Sequence, residues 1–484
     1  MTKELRRLTT IVILMFLALF ASTSVIQFAS VDALNQHPEN RRTLYDSYEV
    51  QRGSIVAGGE RIATSTPSDD VYAWQRTYVD SAMWSPVTGY ATVFPSASGI
   101  EQAMNAELSG TADTAFFSRI EQILSGQDPR GSTVELSLDP AVQRAAFEAM
   151  GSLKGAVVAI EPDTGRILAM VSTPSYDANA LAVHDVDALN ATYTGLEDDP
   201  NQPLQNRAIG GNMNPPGSTF KLVVAAAALA SGEYTAESTL PNPASYKLPH
   251  APNMVYNASH GTCGPGDEVT IADAIRLSCN IPFAELAVEL GDEAIREQAE
   301  RFGFNQSFTP PLASTPSSYP SGLDDAQTAL SGFGQGPLIA SPLQMAMVSA
   351  GIANGGTVMN PWMVDDVIGE DLSVQQSWDP TQFGQAIDAD VAAAIADAMV
   401  SSVSNGAASG ARIDGVEVAG KTGTAENDGS DPFSLWFTGF APADDPQVAV
   451  AVVVEDGGGQ GQSGSGNTIA APIAKKVMEA VLGR

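Results

Sequence analysis

Pro215-Pro216-Gly217-Ser218-Thr219-Phe220-Lys221 runs without a break into Leu222-Val223-Val224-Ala225-Ala226-Ala227-Ala228. Proline and glycine set a turn, and the Ala-rich run after it is a strong helix former, so Ser218 falls at a helix N-terminus. Residues three apart share a helix face, which sets Lys221 beside Ser218. A serine hydroxyl is a weak nucleophile until a neighbour removes its proton. A lysine does this only when neutral, and burial or a second cation is what depresses its pKa. The helix N-terminus adds main-chain N–H groups suited to a developing oxyanion. Ser-x-x-Lys is common, however, and alone describes a serine cap followed by a solvated lysine.

Two further segments bear on it. Ser278-Cys279-Asn280 closes a helix predicted from about Ile271, and offers a hydroxyl to relay a proton and a side-chain amide to hold a substrate amide. Lys421-Thr422-Gly423-Thr424 ends an apolar strand predicted from Val416. A strand edge binds an extended peptide through main-chain hydrogen bonds; Lys421 supplies a cation, and Gly423 lets substrate approach the backbone closely. Each segment is weak alone. Together, in helix, helix and strand contexts and in this order, they match the Ser-x-x-Lys, Ser-x-Asn, Lys-Thr-Gly set of serine β-lactamases and penicillin-binding proteins.

The chain resembles the class B penicillin-binding proteins over nearly its whole length. The likeness includes Arg52-Gly53-Ser54-Ile55, Gly155-Ala156-Val157-Val158, Ile167-Leu168-Ala169-Met170 and Asn206-Arg207-Ala208. It continues through Gly334-Gln335-Gly336, Pro342-Leu343-Gln344-Met345-Ala346 and Trp436-Phe437-Thr438-Gly439-Phe440. This resemblance implies a peptidoglycan D,D-transpeptidase that serves cell-wall growth for cell shape or division. Ser218 would attack the penultimate D-Ala of a stem peptide ending D-Ala-D-Ala, with Lys221 taking its proton. Ser278, near Lys421, would pass a proton to the departing D-Ala. Main-chain N–H groups of Ser218 and Thr424 would form the oxyanion hole. Asn280 would orient the substrate amide, while Lys421, Thr422 and Thr424 receive the terminal carboxylate. The resemblance further implies acylation by β-lactam antibiotics, no metal or organic cofactor, and a membrane glycosyltransferase as partner. A D,D-carboxypeptidase differs only in letting water resolve the acyl-enzyme. A non-catalytic β-lactam sensor, or a scaffold of the wall-synthesis complex, would acylate without turnover. A class A β-lactamase is disfavoured, since no Glu-x-x-Leu-Asn element follows Ser278.

The rest of the sequence fits an exported protein. Lys3, Arg6 and Arg7 precede an uncharged apolar run over residues 8–29, long enough to cross a bilayer. Basic residues ahead of it predict a single-pass anchor with a cytoplasmic N-terminus and an extracellular catalytic domain. The competing reading is a cleaved signal peptide, but the run is long for one and no clean Ala-x-Ala site follows. Lys and Arg total 24 against 56 Asp and Glu among 484 residues, and the net charge of -32 excludes nucleic acid as a partner. Four histidines and two cysteines make a multi-ligand metal site improbable. Cys263 and Cys279 flank a loop, and outside the membrane they are free to pair, though spacing does not decide it.

An α+β fold is expected: a penicillin-binding/serine β-lactamase-like transpeptidase domain with an antiparallel sheet flanked by helices and a helical subdomain. It would occupy residues 133–484. Its pattern is a hairpin over Ala156–Ile160 and Arg166–Ser172, helices over Ser218–Ala230, Ile271–Cys279, Ile281–Leu290, Asp292–Phe302 and Leu343–Ala353, then strands Leu435–Phe440 and Val448–Val454 and a closing helix Ile469–Leu482. Residues 35–132 read as a small strand-rich module beside the membrane, short for a large dimerisation pedestal and for a glycosyltransferase domain. Gly457–Gly466 lacks the Lys-Ser/Thr of a phosphate loop and reads as a flexible surface loop.

Overall fold

The computed structural model describes residues 2–26, 50–93, 96–112, 130–427 and 429–484. The expected end of the apolar run at residues 27–29 and parts of the expected module over residues 35–132 lie outside these. Helix α1 (Thr2–Ser24) carries the N-terminal apolar run. Its segment Lys3–Ser24, 22 residues with none of the apolar window buried, is about 33 Å long at ~1.5 Å per residue, enough for a hydrocarbon core of ~30 Å.

The elements that frame the site follow in chain order. Strands β1 (Ile55–Ala57), β2 (Glu60–Pro67), β3 (Trp74–Tyr78) and β4 (Thr133–Leu136) precede α2 (Pro140–Met150) and the hairpin β5 (Gly155–Ile160) and β6 (Ile167–Thr173). The helical region comprises α3 (Lys221–Ala230), α4 (Ile271–Leu277), α5 (Ile281–Leu290), α6 (Asp292–Arg301), α7 (Asp325–Ser331) and α8 (Pro342–Ala353). Strands β7 (Val364–Ile368) and β8 (Val374–Ser377), helix α9 (Ala389–Asn405), strands β9 (Ala419–Ala425), β10 (Ser434–Ala441) and β11 (Val448–Val454), and helix α10 (Ala470–Val481) complete the frame.

A five-stranded, fully antiparallel sheet in the order β9-β10-β11-β5-β6 forms the catalytic half. Its inner strands β11 and β5 are apolar almost without interruption because both faces are covered. Successive side chains of β11 alternate between them: Val448, Val450, Val452 and Val454 pack with α2 and α10, while Ala449, Ala451 and Val453 face the larger core that holds α3 and α8. Buried Thr438 ties sheet to α8, donating to the Met345 carbonyl (2.8 Å) and pairing with the Ser349 hydroxyl (2.6 Å).

The N-terminal sheet is not built from the module alone. Its order is β8-β7-β4-β1-β2-β3, so residues 364–377 supply two of its six strands. β1 lies parallel to β4, and β7 runs antiparallel to β4. Buried Glu101 bonds Arg52 (2.5 Å), Arg76 (2.6 Å) and the Tyr78 hydroxyl (3.0 Å), which accounts for the arginine of Arg52-Gly53-Ser54-Ile55.

Three expectations shift. The helix expected from Ser218 opens as a 3-10 turn over Gly217–Phe220 before α3 begins. The helix expected to reach Cys279 stops at Leu277, because Ser278 takes a left-handed conformation (φ 63°, ψ 41°). The strand expected over Val416–Lys421 is β9, which carries Lys421–Thr424 in its interior rather than at its end. Val416 instead closes a turn on Ile413. An edge strand with one side open to a cleft carries glycine and threonine there, and so reads as a loop.

Candidate active site

The nucleophile turn is held from below. The Thr219 hydroxyl donates to the Pro216 carbonyl (2.7 Å), and the Gly217 N–H donates to Gly334 O (3.0 Å). Gly217 adopts φ 54°, and a Cβ there would sit 3.2 Å from the Thr424–Ala425 peptide of β9. Ser218 thus rests on the edge of the sheet, partly exposed, while Lys221 one turn on is fully buried. Among the described residues Ser218 Oγ has no hydrogen-bond partner, as suits a hydroxyl waiting for substrate.

The left-handed Ser278 swings the chain so that its two oxygens face different lysines. Its carbonyl accepts from Lys221 Nζ (2.8 Å), and its hydroxyl accepts from Lys421 Nζ (2.7 Å). Asn280 Oδ1 also accepts from Lys221 (2.8 Å), and its Nδ2 donates to the Tyr256 carbonyl (3.0 Å). Both ends of the Asn280 amide are therefore engaged within the protein, and Asn280 positions a lysine here as well as facing the cleft. Buried Asn257 accepts the N–H groups of Asn280 (2.9 Å) and Ile281 (3.1 Å) through Oδ1. Cys263 and Cys279 form a disulfide, so the middle residue of the Ser-x-Asn segment is covalently tied to the loop before α4.

The Lys-Thr-Gly strand meets the other two segments at its open edge. Lys421 also donates to the Thr422 carbonyl (2.9 Å). The Thr422 hydroxyl donates to Ala407 O (3.1 Å), away from a role as carboxylate donor unless it rotates. Thr424 Oγ1 accepts from Gly466 N (3.3 Å), which leaves its own proton free. Gly423 was expected to make room for substrate. A Cβ there would instead lie 2.8 Å from Pro216 O and 3.0 Å from the Trp436 side chain, so the glycine lets β9 seat the nucleophile turn. The Gly-rich stretch is likewise more than a surface loop: Gly466 is buried, and a Cβ there would lie 2.4 Å from Gly423 O.

Electrostatics follow from burial. Lys221 and Lys421 are both inaccessible to solvent. Loss of hydration pushes Lys221 well below the usual lysine range, and the neighbouring Lys421 cation pushes it further. Burial lowers Lys421 to about 7. A neutral Lys221 has two N–H donors, matched by Ser278 O and Asn280 Oδ1, and one lone pair left to accept a proton. The cluster thus offers a candidate nucleophile at a helix start, a buried amine of depressed pKa one turn away, and a hydroxyl bonded to a second lysine.

Asn257 and Gln335 belong to this site by contact, yet neither was singled out from sequence as a site residue. Asn257 carries no sequence signal, and Gln335 stands out only as part of Gly334-Gln335-Gly336.

A buried lysine pair around one serine turn on an antiparallel sheet defines a class, the serine acyltransferases of the penicillin-binding type. Residues 155–479 match the penicillin-binding protein transpeptidase domain, and residues 52–134 match the penicillin-binding protein A dimerisation domain. The chain belongs to the class B penicillin-binding proteins. It is 40% identical to the peptidoglycan D,D-transpeptidase PbpA of Mycolicibacterium smegmatis, over 100% of this chain and 99% of that protein. It is 37% identical to PbpA of Mycobacterium tuberculosis, with the same coverage. The structure of penicillin-binding protein A from M. tuberculosis as a ceftriaxone acyl-enzyme superposes with a TM-score of 0.87 at 37% identity, covering 90% of this chain and 100% of that one. Most of the residues expected to form the small N-terminal module thus match that dimerisation domain.

Proposed function

We propose that this chain cross-links peptidoglycan stem peptides by acyl transfer through Ser218, and that β-lactams acylate the same hydroxyl. Ser218 Oγ attacks the penultimate D-Ala carbonyl while neutral Lys221 accepts its proton. The carbonyl oxygen becomes an oxyanion facing the N–H groups of Ser218 and Thr424; loss of one such donor typically costs about 100–1000-fold in rate. The C–N bond then breaks, and the proton taken by Lys221 passes to the departing D-Ala through the Ser278 hydroxyl, which Lys421 holds, so Lys221 is neutral again. An amine from a neighbouring stem attacks the ester and gives a proton to Lys221, and that proton returns to Ser218 Oγ as the ester C–O bond breaks. The terminal carboxylate of the donor is received by Lys421, Thr424 and a rotated Thr422, with Asn280 beside the donor amide.

The observation that carries this reading is the meeting of three distant segments on two buried lysines: Lys221 on Ser278 O and Asn280 Oδ1, and Lys421 on Ser278 Oγ. Supported by helix α1, the reading extends to a single-pass anchor over residues 8–29, the module over 35–132 and the catalytic domain over 133–484 outside the membrane. A membrane glycosyltransferase would supply the glycan strands.

The test is a fluorescent penicillin incubated with the solubilised chain, its attachment located by peptide mass spectrometry, beside Ser218→Ala. Label on Ser218 that disappears in the variant is the expected result. Release of D-Ala from a stem peptide, with cross-linked product when an acceptor amine is added, separates transpeptidase from carboxypeptidase and from sensor. Label elsewhere, or none on folded protein, would overturn the assignment.

A further inference from the structure

Gly334-Gln335-Gly336 follows α7 and takes part in none of the chemical steps above. Its placement is specific. Gly334 and Gly336 hold φ 78° and 80°, and Gln335 N bonds back to Leu330 O (3.0 Å), which fixes the segment against the end of α7. Gly334 O accepts from Gly217 N (3.0 Å), in the Pro216–Gly217 peptide, one peptide ahead of the one that carries the Ser218 N–H. The Gln335 side-chain amide, oriented so that both its groups are satisfied, donates to Glu426 O (3.1 Å) and accepts from Glu426 N (2.8 Å).

Glu426 follows β9 directly. It stands two residues beyond Thr424, so a hold on its main chain fixes the end of the strand that carries the Thr424 N–H. One short segment therefore grips both sides of the oxyanion hole: the Ser218 side through Gly334 and the Thr424 side through Gln335. We infer that Gln335 is a positioning residue that sets the Thr424 N–H against the Ser218 N–H. Gln335 touches no reacting atom. It holds the main chain of Glu426 as the peptide of a neighbouring strand would, just past the end of β9. This rests on the assignment of those two N–H groups as the oxyanion hole.

The experiment uses the full chain in detergent and penicillin carrying a 13C-labelled lactam carbonyl. Unsubstituted protein is first shown to acylate at Ser218. Gln335→Ala and the volume-matched Gln335→Met are then compared for acylation rate, for the dissociation constant of the complex before acylation, and for the infrared C=O band of the acyl ester. A misaligned donor is expected to slow acylation about tenfold or more, to leave the dissociation constant within about threefold, and to move the ester band to higher frequency as the carbonyl loses polarisation. If Gln335→Met, folded by its melting transition, acylates at the unsubstituted rate with an unmoved band, the inference is overturned. Equal losses in binding and rate with an unmoved band would reduce Gln335 to a packing residue and also overturn it. Absence of label at Ser218 in the unsubstituted chain would overturn the underlying assignment, a result distinct from either.

Discussion

Lys421 has two obligations that pull in opposite directions. It must hold Ser278 Oγ, and it must sit in a fully buried position that penalises its charge. Its folded pKa of about 7 lies below the ordinary lysine value of 10.5. Between those pH values the unfolded chain binds more protons than the folded one, so this group makes stability rise with pH across that window. Below about pH 7 both states are protonated, and the cost of burying the cation is present in full. Urea denaturation of Lys421→Met is therefore expected to show a shallower rise in stability from pH 7 to 10 than the unsubstituted protein. Parallel curves for the two would contradict the burial argument. The variant is also expected to lose acylation, since Ser278 Oγ loses its donor.

Elements, more than residues, decide whether the three motifs meet. α4 ends at a left-handed serine, β9 seats the Pro216–Gly217 turn, and the α7 end braces both. Gly334 is where this bracing is tightest: a Cβ would lie 1.9 Å from Gly217 O, at a φ that side chains rarely adopt. Gly334→Ala is expected to give a folded protein that acylates at least ten times more slowly, as a misplaced oxyanion donor would cause; penicillin labelling kinetics with a melting curve check it. The order and helical contexts of the motifs were legible in the sequence because Ala-rich and Val-rich runs declare their periodicity. The extent of β9 was not, since an edge strand facing a cleft lacks the apolar pattern that marks a covered one. Asn257 was invisible for another reason: its contacts lie 23 and 24 residues away along the chain, and no local propensity records them.

At the scale of the whole molecule, Glu101 locks the N-terminal half. Burial alone would raise its pKa, but the Arg52 and Arg76 charges outweigh that and hold it below the usual carboxylate value. A carboxylate so depressed contributes stability above its unfolded pKa and loses that contribution as pH falls through the folded one. Glu101→Gln leaves two buried or half-buried arginines without their counter-charge, a change that costs about 3–5 kcal/mol when a buried pair is broken. A drop in melting temperature at pH 7 that shrinks in acid is the expected signature, read by calorimetry. A neutral substitution would mean that the arginines find other partners.

The N-terminal sheet takes β1 to β4 from one end of the chain and β7 and β8 from residues 364–377, far beyond the nucleophile. A fragment beginning at β5 would carry β7 and β8 without the neighbour β4 that pairs with them. The two halves are thus woven rather than joined end to end. Recombination that swaps one half between relatives would have to exchange two separated stretches of gene at once, so evolution is expected to pass them on as a single heirloom.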